Sequence, residues 1–248
     1  MTEPPKLSDG PRLHLQVKPR YSLYLENEKQ GEFLIAAEIS EWFGQAWPSL
    51  DTPEQSPDIS FTITTTADGV ELASGNFSID SKSASFDFDV SKLTPRFEAY
   101  LVTLTGKSND VADILHAETE LLVLPEKMGG SVTKLDNLNG GMLFRNSATD
   151  GKFVPLLPYG FYASCDGFLC NDDANNAIKK YWDLGLNGMI PLTPISSESK
   201  SKFDYFNELD LKFMYDLRGY YKNLTEVHNQ VSDIKDFDAL YAYWGSDE

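Results

Sequence analysis

The sequence has few of the residues that build metal and redox centres. Its 248 residues include only 2 cysteines and 3 histidines. The histidines, His14, His116 and His228, are scattered along the chain and do not have the spacing of metal ligands. We therefore expect neither a zinc site nor a cofactor, and we expect the histidines to be surface or capping residues.

Basic residues are scarce as well. The chain has 21 lysines and arginines against 38 aspartates and glutamates, which gives a formal net charge of -17. A surface of that charge repels nucleic-acid phosphates and anionic lipid headgroups. Nucleic acid is therefore not expected as a partner, and neutral partners such as carbohydrates or proteins are favoured.

Long apolar runs are also missing from the sequence. No stretch approaches the roughly 20 apolar residues of a membrane-spanning helix. The opening MTEPPKLSDG lacks the basic and apolar regions of a signal peptide. We expect a soluble chain without a membrane span, whose secretion signal is absent or was removed. The hydrophobic content of 41% is enough to build packed cores.

The first half of the chain has the periodicity of β-strands. From about residue 11 to 127, apolar residues recur at every second position, as at Phe33, Ile35 and Ala37. This period places them on one face of each strand. Because turn signals separate the runs, the pattern predicts an immunoglobulin-like antiparallel β-sandwich over residues 1–127.

An aromatic and proline-rich stretch over residues 42–57 is predicted to be a long loop. Trp42 and Trp47 within it could stack on sugar rings or close one end of the core. The second alternative is favoured, since large aromatic residues are mostly buried.

The pattern changes after the pair Gly129-Gly130, which we interpret as a linker. Tight turns are predicted at Asn139-Gly140 and Asp150-Gly151. From residue 153 onward, four strand-like segments alternate with three helix-like segments, beginning with a buried strand over FVPLLPYGFY. Such alternation predicts a parallel sheet built from right-handed βαβ units.

The helix-like segments have apolar residues at helical spacing. In the first, Ala174, Ile178 and Trp182 fall on one stripe. The third begins at Asn223, whose spacing from Glu226 suits reciprocal capping.

The two cysteines lie five residues apart in the loop SCDGFLC. Cys165 and Cys170 could form a local disulfide or remain two free thiols, and the disulfide is favoured. Three acidic residues surround this loop, but they lack the regular spacing of calcium ligands, so helix capping and solvation explain them better: Asp166, Asp172 and Asp173.

Several runs in the second half resemble fungal glycoside-hydrolase-like proteins of the retaining TIM-barrel clan, clan A type. They are KFVPLLPYGFYASCDGFL, LGLNGMIPLTP, LKFMYDLRGYYKNLTEVHNQVSDIK and LYAYWGSDE, while LTPRFEAYLVTLTG and SVTKLDNLNGGMLF resemble the β-sandwich and junction of the same proteins. The resemblance implies a multidomain β plus α/β fold class. In it, residues 128–248 form the N-terminal half of a (β/α)8 TIM barrel, about four β/α units, truncated after strand 4.

The resemblance also implies a catalytic acid. In that clan the acid/base glutamate ends the fourth barrel strand, and Glu248 matches this position, so it would protonate the glycosidic oxygen and later activate water. The clan usually has asparagine before it, whereas this chain has Asp247, which can meet the sugar 2-hydroxyl only as an acceptor. The second glutamate would lie on a seventh strand, so the 248 residues alone are expected to be inactive.

Further substrate contacts are expected at the carboxyl ends of the predicted parallel strands. Tyr162, Asp216 and Arg218 have side chains that suit sugar hydroxyls. Asp216 and Arg218 fit a structural ion pair equally well. Trp244 is expected in the core in preference to a role as a sugar platform.

Two sequons, at Asn76 and Asn223, are meaningful as glycosylation sites only if the chain is secreted. Helix capping explains Asn223 without a glycan, and a turn position explains Asn76 nearly as well. On the resemblance we expect a secreted protein that acts on carbohydrate.

Three functions are compatible with the sequence. The first is a retaining glycoside hydrolase with Glu248 as its acid/base. The second is a non-catalytic carbohydrate-binding or adhesion module that uses residues 42–57 and the mouth of the partial barrel. The third is a protein-interaction module, because exposed barrel strands are expected to promote self-association.

Overall fold

The computed structural model describes residues 6–48, 58–79, 83–109 and 111–246. The chain divides into two compact units. The first comprises Met1–Glu126 with Leu135–Gly140, and the second comprises Lys127–Lys134 with Gly141–Glu248. The division into functional domains at residues 127 and 128 stays a prediction.

Apart from one 3-10 turn at Val90–Lys92, the regular elements among the described residues up to 126 are β-strands. In chain order these are β1 (Arg12–Pro19), β2 (Tyr24–Leu25), β3 (Gln30–Ser40), β4 (Gln45–Ala46), β5 (Asp58–Thr65), β6 (Glu71–Ser78), β7 (Ala84–Asp89), β8 (Tyr100–Ser108), β9 (Val111–Leu121) and β10 (Val123–Leu124). Two four-stranded antiparallel sheets have the orders β4-β1-β3-β7 and β6-β5-β8-β9. Strands β2 and β10 form a short parallel pair.

One hydrophobic core joins the two sheets of the first unit. Phe33 and Ile35 of β3 are fully buried in it, as are Ile59 and Ile63 of β5 and Val102 of β8. Phe33 and Ile35 are two positions apart and Ile59 and Ile63 are four apart, so each strand presents its apolar side chains on one face, toward the same core. The unit is therefore held together by the inner faces of both sheets.

After residue 131 the chain forms shorter strands and three α-helices. The elements are β11 (Val132–Asp136), β12 (Gly141–Arg145), β13 (Val154–Leu156), β14 (Gly160–Ala163), α1 (Ala174–Asp183), β15 (Gly188–Pro191), α2 (Lys200–Leu209), β16 (Lys212–Asp216), α3 (Leu224–Ile234) and β17 (Leu240–Trp244). Strands β11, β12 and β13 form one sheet in that order, and β14, β15, β16 and β17 form another, which is parallel. No helix in the described ranges is long and apolar enough to cross a membrane.

The second unit has its own core between the parallel sheet and the helices. Ile178 of α1, Phe203 of α2 and Ile234 of α3 are buried in it against Phe213 and Tyr215 of β16. The first two parallel strands come very close together, because a Cβ placed on Gly160 would lie 1.6 Å from the Gly188 carbonyl oxygen. Only glycine permits that approach.

The predicted fold class, an immunoglobulin-like sandwich followed by half of a TIM barrel, is wrong. The described chain is mostly β-structure in several separate sheets, the larger part of it antiparallel, and the parallel strands of the second unit form one open sheet of four. The physical reason is that alternating strand and helix patterns fix only which strands are neighbours. Closing a barrel depends on strand number, tilt and stagger together, and local patterns do not determine these.

The predicted buried strand FVPLLPYGFY is also different in the structure. It divides into β13, which is antiparallel to β12, and β14, which is parallel to β15. Pro155 and Pro158 lie in this stretch, and a proline has no N–H to donate to a ladder. The segment is largely exposed instead of buried, with Phe161 at 60% exposure.

Candidate functional site

Four side chains meet at the carboxyl end of the parallel sheet. Tyr162 lies in β14, Asp216 and Trp244 end β16 and β17, and Arg218 follows β16. Asp216 and Trp244 are register partners across the two strands. Because the carboxyl ends of parallel strands share one edge, residues distant in sequence come together here. We call Tyr162, Asp216, Arg218 and Trp244 the edge cluster.

The aromatic part of the edge cluster is a ring pair with a cation on it. The ring centroids of Tyr162 and Trp244 are 5.3 Å apart at an interplanar angle of 33°. The guanidinium carbon of Arg218 lies 3.7 Å from the Trp244 ring centroid, which is cation–π geometry. Tyr162 is 59% exposed and Trp244 is partly exposed. The cluster therefore presents aromatic surface to solvent.

Asp216 and Arg218 form a bidentate ion pair within the cluster. Arg218 donates from Nε to Asp216 Oδ1 at 3.0 Å and from Nη2 to Oδ2 at 2.9 Å, and its backbone N–H donates to Oδ1 at 2.9 Å. Burial raises the pKa of Asp216, but the hydrogen bonds and charge of Arg218 outweigh it and hold the pKa below its ordinary value. Asp216 is thus an ionised carboxylate with both oxygens engaged.

The loop that follows β14 is closed by a disulfide between Cys165 and Cys170, whose Cα atoms are 4.7 Å apart. Beside it, Tyr181 of α1 donates its hydroxyl to the Gly188 carbonyl at 2.7 Å and accepts from the Phe161 N–H at 2.8 Å. These contacts fix strand β14, and with it the backbone that carries Tyr162.

The two sequon asparagines are both exposed. Asn76 lies on β6, an edge strand of its sheet, and Asn223 caps α3 by accepting the Glu226 N–H at 3.3 Å. The predicted capping is not reciprocal, because the Glu226 carboxylate accepts from Gln230 instead.

Other predicted residues have mixed outcomes. Asp247 and Glu248 lie outside the described residues, as do residues 49–57 of the predicted loop. Trp47 is 4% exposed and belongs to the core of the first unit, whereas Trp42 is 47% exposed. No group of three or more histidine, cysteine, aspartate or glutamate side chains in the described part of the chain is arranged to hold a metal ion.

Trp244 is the member of the edge cluster that sequence reasoning misses, since its alternating strand suggests a core position. The signal that identifies it is its place at the carboxyl end of the last strand, close in sequence to the candidate acid Glu248. The stacking of Arg218 on this ring has no local sequence signal.

No protein-family model matches the chain, and no curated protein matches it. Among solved structures, the Parabacteroides merdae β-glucuronidase is 14% identical with a TM-score of 0.35, over 94% of this chain and 28% of that one. The Bacteroides uniformis β-glucuronidase 3 has the same identity and TM-score over 93% and 28%. The Bifidobacterium dentium β-glucuronidase complexed with coumarin-3-O-glucuronide is 12% identical with a TM-score of 0.32, over 94% and 37%.

These structural neighbours are glycoside hydrolases. The chain spans 28% of the length of the first two and 37% of the third.

Proposed function

We propose that the protein is directed at carbohydrate as a retaining glycoside hydrolase, and that the edge cluster holds a sugar ring. The observation that carries the proposal is the contact between exposed Tyr162 and partly exposed Trp244, beside the Arg218–Asp216 ion pair at one edge of a parallel sheet. Ligand sites typically combine apolar and aromatic walls with a few fixed polar groups. A sugar suits the aromatic walls and the polar groups alike, because its C–H face packs on rings and its hydroxyls form hydrogen bonds.

Each member of the edge cluster has a separate role in this proposal. Trp244 and Tyr162 form the platform, while Asp216 holds the guanidinium of Arg218 in a fixed orientation. A guanidinium fixed in this way loses little side-chain entropy when it meets a ligand. The net charge of -17 favours a neutral sugar over an acidic one.

Glu248, four positions after Trp244 in the sequence, is the proposed acid/base. It donates a proton to the glycosidic oxygen as the bond to the anomeric carbon breaks, and a second carboxylate forms a covalent bond to that carbon. Glu248 then takes a proton from the water that releases the sugar. Asp247 would accept from the sugar 2-hydroxyl. Asp216 is not the second carboxylate, since Arg218 occupies both its oxygens.

A second candidate is carbohydrate binding without turnover. The complete engagement of Asp216 by Arg218 favours it, because the described part of the edge offers a platform and a cation, while its carboxylate is already paired.

The test is sugar binding and glycoside cleavage by the 248-residue protein. Calorimetric titration with neutral oligosaccharides and one uronic acid measures binding, and release of nitrophenol from nitrophenyl glycosides measures turnover. We expect Trp244→Ala to weaken binding at least tenfold. Trp182→Ala is the matched control, because Trp182 is an exposed tryptophan on α1 that stacks with Lys179.

The outcomes separate the two candidates. Cleavage that Glu248→Gln abolishes while binding persists supports the hydrolase and contradicts the expected inactivity of the 248 residues alone. Binding that depends on Trp244 supports the binding module if cleavage is also absent after the chain is extended to supply a second carboxylate. Absence of sugar binding, or equal losses in Trp244→Ala and Trp182→Ala, contradicts both.

Secretion belongs to the same proposal, together with the resemblance to fungal glycoside hydrolases. The exposed Asn76 and Asn223 side chains support it, as does the disulfide of Cys165 and Cys170, because disulfides persist in oxidising compartments. After expression through a eukaryotic secretory pathway, peptide mapping should find glycan on a sequon and no free thiol. Two unmodified asparagines with free thiols would contradict secretion.

A further inference from the structure

The first unit exposes an aromatic turn that the proposed function does not use. Strand β3 ends at Ser40 and β4 begins at Gln45, and the turn between them exposes Trp42 and Phe43 by 47% and 53%. A single exposed apolar side chain is ordinary, but two adjacent aromatic rings are a patch that invites an explanation.

Hydrogen bonds and close backbone packing support the turn. The Ser40 hydroxyl accepts hydrogen bonds from the backbone N–H groups of Trp42 at 3.1 Å and Phe43 at 3.5 Å. Gly44 has a φ of 120°, and a Cβ there would lie 2.3 Å from the Leu13 carbonyl oxygen, so the backbone packs directly on β1. A ligand that binds these rings has little loop entropy to overcome.

A polar strip lies directly beside Phe43. The His14 ring is 4.5 Å from the Phe43 ring, centroid to centroid, and nearly perpendicular to it at 86°. Its Nε2 is 2.8 Å from Gln16 Nε2, and its Nδ1 is 3.3 Å from Glu38 Oε1. Because the Gln16 amide nitrogen can only donate, His14 Nε2 accepts and Nδ1 carries the hydrogen that Glu38 receives.

The strip leaves acceptor atoms for a ligand. Among the described residues, none donates a hydrogen bond to Gln16 Oε1 or to Glu38 Oε2, and the Glu38 side chain is 70% exposed. The surface next to the two rings therefore offers hydrogen-bond acceptors at positions that the His14 ring has already fixed.

We infer that Trp42, Phe43, Gln16 and Glu38 form a saccharide-binding site on the first unit, which we call the turn site. The rings receive the apolar face of a neutral sugar, and the two acceptors receive its hydroxyl hydrogens. The inference rests on residues of the first unit alone and does not require the edge cluster to bind sugar.

The surroundings of the rings favour a small neutral ligand over a protein or an anion. A stable protein interface needs about 800 Å² on each partner with few charges at its centre. Here the exposed carboxylates of Glu38 and Glu41 lie next to the two rings, in sequence or in the sheet. Anionic ligands are disfavoured by the same carboxylates and by the net charge of -17.

The test is affinity electrophoresis of the whole protein through native gels that contain a soluble neutral polysaccharide, with mixed-linkage glucan, xylan and mannan as the probes. We expect Trp42→Ala and Phe43→Ala each to raise the Kd at least tenfold. Glu38→Gln keeps one acceptor oxygen and should change it less than Glu38→Ala. Phe97→Ala is the matched control, because Phe97 is an aromatic residue of the first unit that is 80% exposed. Unchanged thermal unfolding verifies that the surface variants fold.

A parallel Trp244→Ala variant separates the turn site from the edge cluster. Retardation that is lost in Trp42→Ala supports the turn site, whether or not Trp244→Ala also loses it. The inference is overturned if retardation is lost only in Trp244→Ala, if Phe97→Ala loses as much retardation as Trp42→Ala, or if no variant loses it. None of these three outcomes decides the proposed function, which has its own test. A sugar-free change in sedimenting mass on Trp42→Ala also overturns it, because the turn would then be a protein interface.

Discussion

The guanidinium of Arg218 is shared between the ring of Trp244, at 3.7 Å, and both carboxylate oxygens of Asp216. A single side chain thus links the ends of β16 and β17 electrostatically. The ion pair should make folding stability depend on pH, because the pKa of Asp216 is lowered from an ordinary value of 3.8.

Replacing Arg218 should change how stability depends on pH. A lowered carboxyl pKa stabilises the fold above the unfolded pKa, and the contribution is lost as pH falls through the folded pKa. Without Arg218 the burial of Asp216 raises its pKa instead. We expect Arg218→Ala to lower the urea midpoint at pH 7 and the deficit to shrink below about pH 4. Lys222→Ala, which removes a cation four positions later in the chain, is the control. A deficit that is equal at pH 7 and pH 3 would refute the ion-pair explanation.

Gly160 should tolerate no side chain. A Cβ there meets the Gly188 carbonyl oxygen at 1.6 Å and the Tyr181 hydroxyl at 2.2 Å, so β14 would have to separate from β15. We expect Gly160→Ala to destabilise the second unit by about 3 kcal/mol or more in urea unfolding. Gly219→Ala, with nothing within 4 Å of its added Cβ, should cost far less. Equal losses in the two variants would show that β14 is not held as described.

Gln45 should protect strand β9. Its side-chain amide donates to the Ile114 carbonyl at 3.4 Å and accepts the His116 N–H at 2.9 Å, which occupies backbone groups on the side of β9 away from β8. We expect Gln45→Ala to cost about 1–2 kcal/mol and to speed hydrogen exchange at the His116 amide. Gln45→Glu keeps the acceptor and should leave that amide protected. Unchanged exchange in Gln45→Ala would contradict the protective role.

The parallel sheet should promote self-association. In the described residues β14 and β17 are its outer strands, and they expose Phe161 and Tyr243. Unpaired strand edges are templates for pairing with another chain. Sedimentation should therefore show a mass that rises with concentration, and Phe161→Lys should reduce the rise while Phe97→Lys in the first unit should not. A monomer at every concentration would argue against this prediction.

Sequence reasoning succeeds where the deciding contacts are local. Phe33, Ile35 and Ala37 alternate in the sequence, and all three are buried in β3. Asn223 is recognisable as a helix cap from its neighbours alone. A strand period or a cap is set within a few residues, so the sequence contains all the information that it needs.

Sequence reasoning fails where the deciding contacts are distant. The partial barrel was wrong because nothing local determines whether four parallel strands curve into a closed wall or remain an open sheet. Local sequence does not predict the edge cluster either, since the stacking of Arg218 on Trp244 depends on the register of β16 and β17. Trp42 and Trp47 look alike in sequence, yet only Trp47 enters the core.

The first residues of the second unit donate hydrogen bonds to the end of α3 and to β17. The buried hydroxyl of Ser131 donates to the Leu240 carbonyl, 109 residues later, and Lys127 Nζ donates to the Lys235 carbonyl, 108 residues later. At a synthesis rate of about 5–20 residues per second, Ser131 is added to the chain roughly 5–20 s before Leu240. For that interval the nascent segment has exposed polar groups without native partners, so the second unit completes its fold only after translation has passed β17.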